Sequence, residues 1–232
     1  NYNPYGDSKI KIPVVSASPW EVIGPAESIV MVKENAFVGE HSPQIAPGSG
    51  IRQNDLAVVS GKQYVGYVLL RSVKGESDVE ITLAPPDGNK RAGQTIATIN
   101  TKNEFGRVLL NFTAEQTTDK GSLAIKVSGA PCVVGAVSLM PADNVRGFRA
   151  DTLALLKQLH GTIYRWPGGN FVSGYNWRDG IGPRDKRPPR RNPAWTGVEH
   201  NDMGIDEFID LCHEIDAEPE IAVNTGFGDE YS

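Results

Sequence analysis

The spacing of apolar residues changes at about residue 142, and this change divides the chain into two parts. From about Pro13 to Met140, apolar residues alternate with polar ones or form short continuous runs, as in Gln63–Leu70 and Val79–Leu83. Many short strands separated by turn-forming residues are typical of an antiparallel β-sandwich. We therefore predict a β-sandwich over residues 1–142, with no helix of any length.

Further strands and the turns between them follow from the same pattern. The other predicted strands are Gln94–Ile99, Arg107–Thr113, Gly121–Val127 and Val133–Leu139. Proline, glycine and aspartate clusters predict turns at Pro85–Gly88, Thr118–Gly121 and Ser128–Pro131.

A helical period begins at Asp143. Asp143 or Asn144 could cap a helix that ends at Gly161. Its predicted apolar face consists of Val145, Phe148, Thr152, Leu156 and Leu159.

A strand, a long loop, a second helix and another strand follow that helix. The strands are Thr162–Trp166 and Glu220–Asn224, and the helix covers roughly Gly204–Ile215. The apolar stripe of this helix contains Ile205, Phe208, Ile209, Cys212 and Ile215. Helices alternating with strands are typical of a parallel α/β sheet or barrel. Two strands cannot close a barrel of eight, so we expect an incomplete (β/α)8 TIM barrel over residues 143–232, as a piece of a longer domain.

The loop after the first of these strands predicts a ligand site. The strand stops at Pro167-Gly168-Gly169, and the polar, aromatic segment that follows reaches Trp195. Ligands usually bind where strands of α/β proteins release such loops. Glycines at 168 and 169 permit positive φ and close backbone approach, which would place Asn170 at the tip of the strand.

Several motifs in this part resemble the α-L-arabinofuranosidases of glycoside hydrolase family 51. The resemblance covers about residues 143–228 and rests on Arg165-Trp-Pro-Gly-Gly-Asn-Phe-Val-Ser-Gly-Tyr175, Trp177, Asp179–Pro188, Trp195, Glu199, Asp206–Phe208 and Ala222–Asn224. The first part more loosely resembles the carbohydrate-binding-like, jelly-roll β-sandwich of some members.

The resemblance implies a catalytic (β/α)8 barrel with a retaining mechanism. Such enzymes use two glutamates, an acid/base and a nucleophile, whose carboxyl groups lie about 5 Å apart. The family places both glutamates in later segments, so we assign no catalytic residue in this chain and expect it to be inactive alone. The family's first barrel strand, which should precede the sandwich, is also absent. The implied function is release of terminal α-L-arabinofuranosyl residues from plant polymers such as arabinan and arabinoxylan, as part of L-arabinose metabolism.

Three substrate-binding residues are implied by the same match. Arg165 corresponds to an arginine at the floor of the sugar subsite, Asn170 to an asparagine that hydrogen-bonds arabinose, and Trp195 to an aromatic that contacts the next sugar. An arginine at a strand end could orient a catalytic carboxylate and keep it ionised. The alternative for Arg165 is a structural ion pair beneath the floor.

Other candidate residues have simpler interpretations. We expect Trp177 to pack the loop, Glu199 to organise it, and the cluster Arg184, Lys186, Arg187, Arg190 and Arg191 to be solvated and paired with local acids. Asp229 and Glu230 lie near a predicted strand end, but a catalytic pair from these acids is disfavoured. Histidines 41, 160, 200 and 213 lack metal-ligand spacing, so we expect no metal and no cofactor. Cys132 and Cys212 are expected to be buried free thiols, and Trp20, Tyr64 and Tyr67 to pack in the core.

Composition limits the partners. A net charge of −5 and a pI of about 5.4 argue against nucleic acid, and no apolar run is long enough for a membrane helix. The expected partners are an arabinose-containing oligo- or polysaccharide and the remainder of the barrel. Homo-oligomeric assembly stays open, and a secreted or periplasmic location is usual for degraders of plant polymers. The alternatives are a non-catalytic carbohydrate-binding module and an endoglucanase-type member of the same family.

Overall fold

The structure is a computed structural model, and it describes residues 19–84, 93–192, 194–195 and 197–224. The described residues divide into two compact units, one ending at Gly147 and the other beginning at Phe148.

The first unit is a β-sandwich of two five-stranded antiparallel sheets. Its strands are β1 (Trp20–Ile23), β2 (Ile29–Val32), β3 (Ser42–Ile45), β4 (Ser49–Val58), β5 (Gln63–Ser72), β6 (Ser77–Ala84), β7 (Gln94–Thr101), β8 (Gly106–Thr113), β9 (Thr118–Gly129) and β10 (Cys132–Pro141). One sheet has the order β1-β4-β9-β6-β7 and the other β2-β3-β10-β5-β8. This arrangement confirms the predicted sandwich.

The core lies between the inner faces of the two sheets. Alternation along β6 buries Val79, Ile81 and Leu83 and leaves the residues between them more accessible, as the period of two requires. The central strand β9 contributes a fully buried Ile125. The buried cluster consists of Ile45, Ile51, Val68, Leu70, Val79, Ile81, Leu110, Leu123, Ile125, Val127, Cys132 and Val134.

The turn predictions had different outcomes. A turn follows β9 at Ala130-Pro131, with Gly129 at φ +75°, as predicted. The turn predicted at Thr118–Gly121 was wrong, because these residues begin β9 and pair irregularly with β4. Register shifts between Leu56 and Val58 accommodate the extra residues of this stretch. The turn predicted at Pro85–Gly88 lies outside the described residues.

The three sandwich aromatics behave differently. Tyr64 is buried and stacks on Phe112 with ring centroids 5.7 Å apart, and Trp20 packs against the core. Both confirm core packing. Tyr67 is only half-buried, and the Arg107 guanidinium lies 4.0 Å from its ring centroid. The prediction of core packing was therefore wrong for Tyr67, which faces away from the core because it alternates with the inward-facing Val68.

The second unit contains the α/β elements. They are α1 (Ala150–Gln158), β11 (Ile163–Trp166), β12 (Arg190–Arg191), β13 (Val198–Glu199), α2 (Ile205–Glu214) and β14 (Glu218–Ile221). β11 and β14 pair in parallel, and β12 and β13 form a short antiparallel hairpin. The two parallel strands joined through α2 agree with the predicted repeat. The described fold contains no closed barrel.

The first helix begins later than its apolar period predicts. The Asn144 side chain donates to the Pro141 carbonyl at 2.8 Å and accepts from the Gly147 amide at 2.9 Å, which forms a turn instead of a helix cap. Positive φ at Arg146 (54°) and Gly147 (94°) also excludes a helix there. On the predicted apolar face, Phe148 and Leu156 are half-buried and Leu159 is exposed, whereas α1 buries Leu153, which was not assigned to that face.

Helix α2 agrees with its prediction. Phe208, Cys212 and Ile215 are buried along one face. Cys132 and Cys212 are both buried free thiols, as predicted, and burial raises the pKa of each. No helix in the described part of the chain is long and apolar enough to cross a membrane.

Candidate functional site

Parallel strands β11 and β14 place Arg165 on the face of the sheet opposite α2. The Trp166 ring stacks on Phe208 of α2, with ring centroids 5.9 Å apart and planes at 29°. Because consecutive side chains of a strand point to opposite faces, Arg165 projects away from this helix. Its partner in the parallel register is Glu220.

The Arg165 side chain is exposed and lies beside Gly168. A Cβ added at Gly168 would stand 3.8 Å from Arg165 Nη2, so the glycine leaves room for the guanidinium. No described carboxylate, Glu220 included, forms an ion pair with Arg165. The structural ion pair considered from the sequence is therefore not found within the described ranges.

Asn170 lies immediately after this strand, in a short 3-10 helix spanning Gly169–Gly174. Gly169 has φ +58°, as predicted, whereas Gly168 is extended at φ −140°. The expectation of positive φ was therefore right for one of the two glycines. Asn224, which follows β14, donates its side-chain amide to the Ser173 carbonyl at 2.8 Å. This bond ties the segment that carries Asn170 to the neighbouring strand end.

Trp195 lies at the tip of the β12–β13 hairpin. The Asn192 side-chain oxygen accepts hydrogen bonds from the backbone amides of Ala194 and Trp195 at 3.0 and 2.7 Å. The backbone amide of Asn192 donates to the Gly197 carbonyl at 3.1 Å. Trp195 as a whole is 61% exposed. Arg165 and Asn170 thus share one strand end, whereas no described hydrogen bond or ring contact joins Trp195 to either.

An apolar cavity of about 240 Å³ opens at the ends of β11 and β14. Trp177, expected from the sequence to pack the loop, is one of its walls and remains 41% exposed. The other lining residues are Trp166, Pro167, Val172, Tyr175, Ile205, Ile221, Ala222, Val223 and Asn224.

Tyr175 belongs to an aromatic cluster beside this cavity. Its ring stacks on Phe171 and meets the edge of Trp166, with centroids 4.8 and 5.2 Å away. Burial, with a smaller contribution from Glu199, raises the Tyr175 pKa to about 12. Its phenol therefore stays neutral at ordinary pH.

The basic cluster of the loop is paired with acids, but Arg187 is not solvated. Arg190 makes two hydrogen bonds to Asp179, at 2.8 and 3.1 Å, from an exposed position. Arg187 is buried and makes two hydrogen bonds to Glu207, at 2.9 and 2.8 Å. Arg184 adds a third bond to Glu207, at 3.2 Å. The expected pairing is confirmed for Arg184, Arg187 and Arg190. The expected solvation was wrong for Arg187 because its partner carboxylate lies beneath the loop.

Glu207 is held in its charged form. Burial alone would raise the pKa of this carboxyl group, but hydrogen bonds from Arg187, the Gly204 amide and Arg184 outweigh it and lower the pKa from 4.5 to about 2. The bond from the Gly204 amide, at 2.8 Å, also satisfies a free donor at the start of α2.

The lowered pKa of Glu207 predicts a loss of stability in acid. A carboxyl group with a depressed folded-state pKa contributes stability above its unfolded-state pKa and loses it as pH falls through the folded-state value. We expect this contribution to be complete above about pH 4.5 and to disappear towards about pH 2. Chemical denaturation of the wild type and Glu207→Gln across this range would measure it. An equal acid slope for the two proteins would contradict the assignment.

The remaining candidates contribute little to the site. Glu199 accepts from the Asn201 amide at 3.2 Å within the loop, in keeping with an organising role. No group of three histidine, cysteine or acidic side chains that could hold a metal occurs in the described ranges. Asp229 and Glu230 lie outside them.

Sequence reasoning missed two acidic side chains. Glu220 stands opposite Arg165 in register, which only the pairing of two distant strands reveals. From the sequence, Glu207 is notable as part of the Asp206–Phe208 motif. Its position three residues after Gly204 is the spacing of a capping box, and this signal could have identified its bond to the Gly204 amide.

Comparisons with known proteins found matches to the second unit. Residues 155–232 match the family model described as the α-L-arabinofuranosidase 1 domain. An intracellular exo-α-(1→5)-L-arabinofuranosidase of Bifidobacterium longum is 39% identical over 137 residues, which is 50% of this chain and 24% of the relative. An α-L-arabinofuranosidase from Thermotoga maritima, solved as an arabinose complex, is 53% identical over 37% of this chain and 18% of that structure, with a TM-score of 0.36.

The relatives named by these matches are glycoside hydrolases. More particularly, residues 155–232 match part of the α-L-arabinofuranosidase 1 domain, and the resemblance to that family is confirmed. The chain spans about a quarter or less of the length of these two relatives.

The sandwich has its own structural neighbours. A xylan-binding domain from Paenibacillus barcinonensis covers 54% of this chain and 87% of that domain, at 15% identity and a TM-score of 0.45. Similarity at this level says nothing about what the sandwich binds.

Proposed function

We propose that the second unit supplies part of the sugar-binding wall of a retaining α-L-arabinofuranosidase. The whole protein would release terminal α-L-arabinofuranosyl residues from plant cell-wall polysaccharides, and the two catalytic glutamates would come from outside residues 1–232. The observation that carries this proposal is the position of Arg165, at the carboxyl end of a parallel strand and opposite α2, within a segment that matches the family model.

Arg165 is suited to orient a catalytic carboxylate. Its guanidinium is exposed beside Gly168 and forms no ion pair with a described carboxylate. A guanidinium in this position can donate two parallel hydrogen bonds to one carboxylate and lower its pKa. A nucleophilic glutamate must be ionised to attack the sugar, so this is the role we assign to Arg165.

Asn170 and Trp195 are suited to bind sugar directly. An asparagine side chain offers both a donor and an acceptor, which matches the hydroxyl groups of arabinose. Trp195 presents an exposed indole at the end of a hairpin, where a flat ring can cover the C–H face of the next sugar. Asn170 would therefore bind the arabinose to be released, and Trp195 the rest of the polymer.

Exposed apolar surfaces support an incomplete (β/α)8 barrel. Leu155, Leu159 and Ile163 are each at least 60% exposed, and Val223 beside the cavity is 72% exposed. Globular proteins rarely leave so many large apolar side chains in water within one small unit. Further barrel strands and helices would cover them, with a domain boundary near residues 142–143 and a carbohydrate-binding-like jelly-roll domain before it.

Hydrolysis of an aryl α-L-arabinofuranoside tests this function. The 232-residue chain should release no aryl alcohol, whereas a protein that joins it to the remaining part of the family domain should. Turnover by the purified chain would overturn the assignment of the catalytic glutamates to a segment outside it. Absence of turnover by the completed domain would overturn the function.

Asn170→Ala in the completed domain should reduce kcat/KM roughly ten- to hundredfold. The change removes one donor and one acceptor, worth about 1–3 kcal/mol together, and each 1.4 kcal/mol is about tenfold. Asn100→Ala is the matched control, because Asn100 bonds Asp78 on the exposed surface of the sandwich. Equal kcat/KM values for the two variants would argue against sugar binding by Asn170.

A further inference from the structure

The hairpin that carries Trp195 cannot hold its own position. Each of its strands has only two residues, Arg190–Arg191 and Val198–Glu199. A two-stranded hairpin is marginally stable at best even at greater length. We call residues 188–201 the Trp195 arm, and the contacts at its base determine where the indole stands.

Arg187 connects the base of the arm to helix α2 by hydrogen bonds. Its guanidinium donates to the Gly182 carbonyl at 3.0 and 2.8 Å and to the Asn201 carbonyl at 2.9 Å. The same group makes its two bonds to Glu207 of α2. One buried side chain therefore joins Gly182 in the middle of the loop, the end of the arm at Asn201, and helix α2.

Asn201 links the two ends of the Trp195 arm by hydrogen bonds, where its first leg is the segment that starts at Pro188 and its second leg the segment that ends at Asn201. It is 1% exposed and has φ +58°. Its side-chain amide donates to the Pro188 carbonyl on the first leg at 2.7 Å, and its backbone amide donates to Glu199 on the second leg. Arg190 adds a more exposed tether to Asp179.

The segment that carries Asn170 is held differently. Its described contacts include the bond from Asn224 to the Ser173 carbonyl and the stacking of Phe171 on Tyr175, and neither contact is made by Arg187 or Glu207. A substitution that breaks the Arg187–Glu207 ion pair should therefore displace the Trp195 arm and leave Asn170 in place.

We propose that Arg187 and Glu207 form a positioning pair that sets the Trp195 arm, and through it the affinity for sugars beyond the first arabinose. This inference rests on the proposed function, because it takes the indole as a sugar contact. We expect the pair to affect the affinity for oligosaccharides and not the affinity for a monosaccharide, although it contacts neither ligand.

Glu207→Gln in the 232-residue chain tests the pair by amide hydrogen exchange. We expect exchange across residues 188–201 to accelerate at least about tenfold, while residues 169–174 and the sandwich strands keep their rates. Asp151→Asn, which breaks the exposed Arg149–Asp151 pair, is the control and should change neither region. Unchanged exchange in the arm of Glu207→Gln would overturn the proposal.

Ligand affinity gives a readout that a purely structural role would not move. In the completed domain, with its nucleophilic glutamate replaced so that the trisaccharide is not hydrolysed, L-arabinose and α-1,5-linked arabinotriose serve as probes. Glu207→Gln should weaken trisaccharide binding several-fold and leave the monosaccharide affinity unchanged. Trp195→Ala should cause the same loss, and the double variant no more than either single one. Additive losses, or equal losses for both sugars, would overturn the proposal.

Two further outcomes are decisive. If the completed wild-type domain binds neither sugar, the assigned sugar site fails, while the exchange measurement on the 232-residue chain still decides whether the pair fixes the arm. If Glu207→Gln unfolds the second unit, Arg187→Lys replaces it, because lysine keeps the positive charge beside Glu207 but lacks the guanidinium that bonds Glu207, Gly182 and Asn201 together. Rapid exchange confined to the arm supports the proposal, and wild-type exchange overturns it.

Discussion

Truncation of Ile125 to alanine is expected to lower the free energy of unfolding of the β-sandwich by about 2–5 kcal/mol. Ile125 lies in β9, the middle strand of its sheet, and is 0% exposed. The substitution removes buried methyl and methylene groups, and the two packed sheets can relax only partly into the space. The loss therefore combines the transfer free energy of the side chain with the cost of a cavity.

The matched control for Ile125→Ala is Leu109→Ala. Leu109 lies in β8 of the other sheet and is 74% exposed, so its truncation removes little buried area and should change stability by less than about 0.5 kcal/mol. Chemical denaturation gives the free energies, and hydrogen exchange shows whether the loss is confined to residues 19–147. A cost for Leu109→Ala as large as for Ile125→Ala would mean that the outer face of β8 is covered in solution.

The sandwich and α2 could be predicted because their apolar patterns are local and complete. A period of two along β6 and a helical stripe on α2 each determine which face is buried, whatever the partner is. The predicted start of the first helix was wrong for an equally local reason. Asn144 satisfies the Pro141 carbonyl and the Gly147 amide in a turn, and this competes with a helix cap that the same residue type would favour.

The site could be predicted only in part, because its electrostatics are not local. The sequence indicates the strand end with Arg165 and Asn170, since the strand stops at a glycine-rich loop. It does not indicate that Glu220 stands opposite Arg165, because that depends on the register of two strands more than fifty residues apart. Nor does it separate Arg187 from its basic neighbours, since burial of one arginine requires the carboxylate of Glu207, twenty residues further on.

Arg187→Met should destabilise the second unit by about 3–5 kcal/mol. Removal of the guanidinium leaves the Glu207 carboxylate beneath the loop with only Arg184 and the Gly204 amide, and it also leaves the Gly182 and Asn201 carbonyls without this donor. A buried charge that loses its main partner retains most of its desolvation cost. Methionine keeps much of the side-chain length, so the effect of a cavity should be small.

Arg190→Met provides the matched control for this prediction. Both arginines lie in the same loop and make two bonds to one carboxylate, but the side chain of Arg190 is 59% exposed and that of Arg187 only 3%. Solvent screens the exposed pair, so its loss should cost no more than about 1 kcal/mol. The double variant Arg187→Met/Glu207→Leu should recover much of the stability, because it removes both charges together. Equal losses for the two methionine variants would show that burial of the Arg187–Glu207 pair does not determine its contribution to stability.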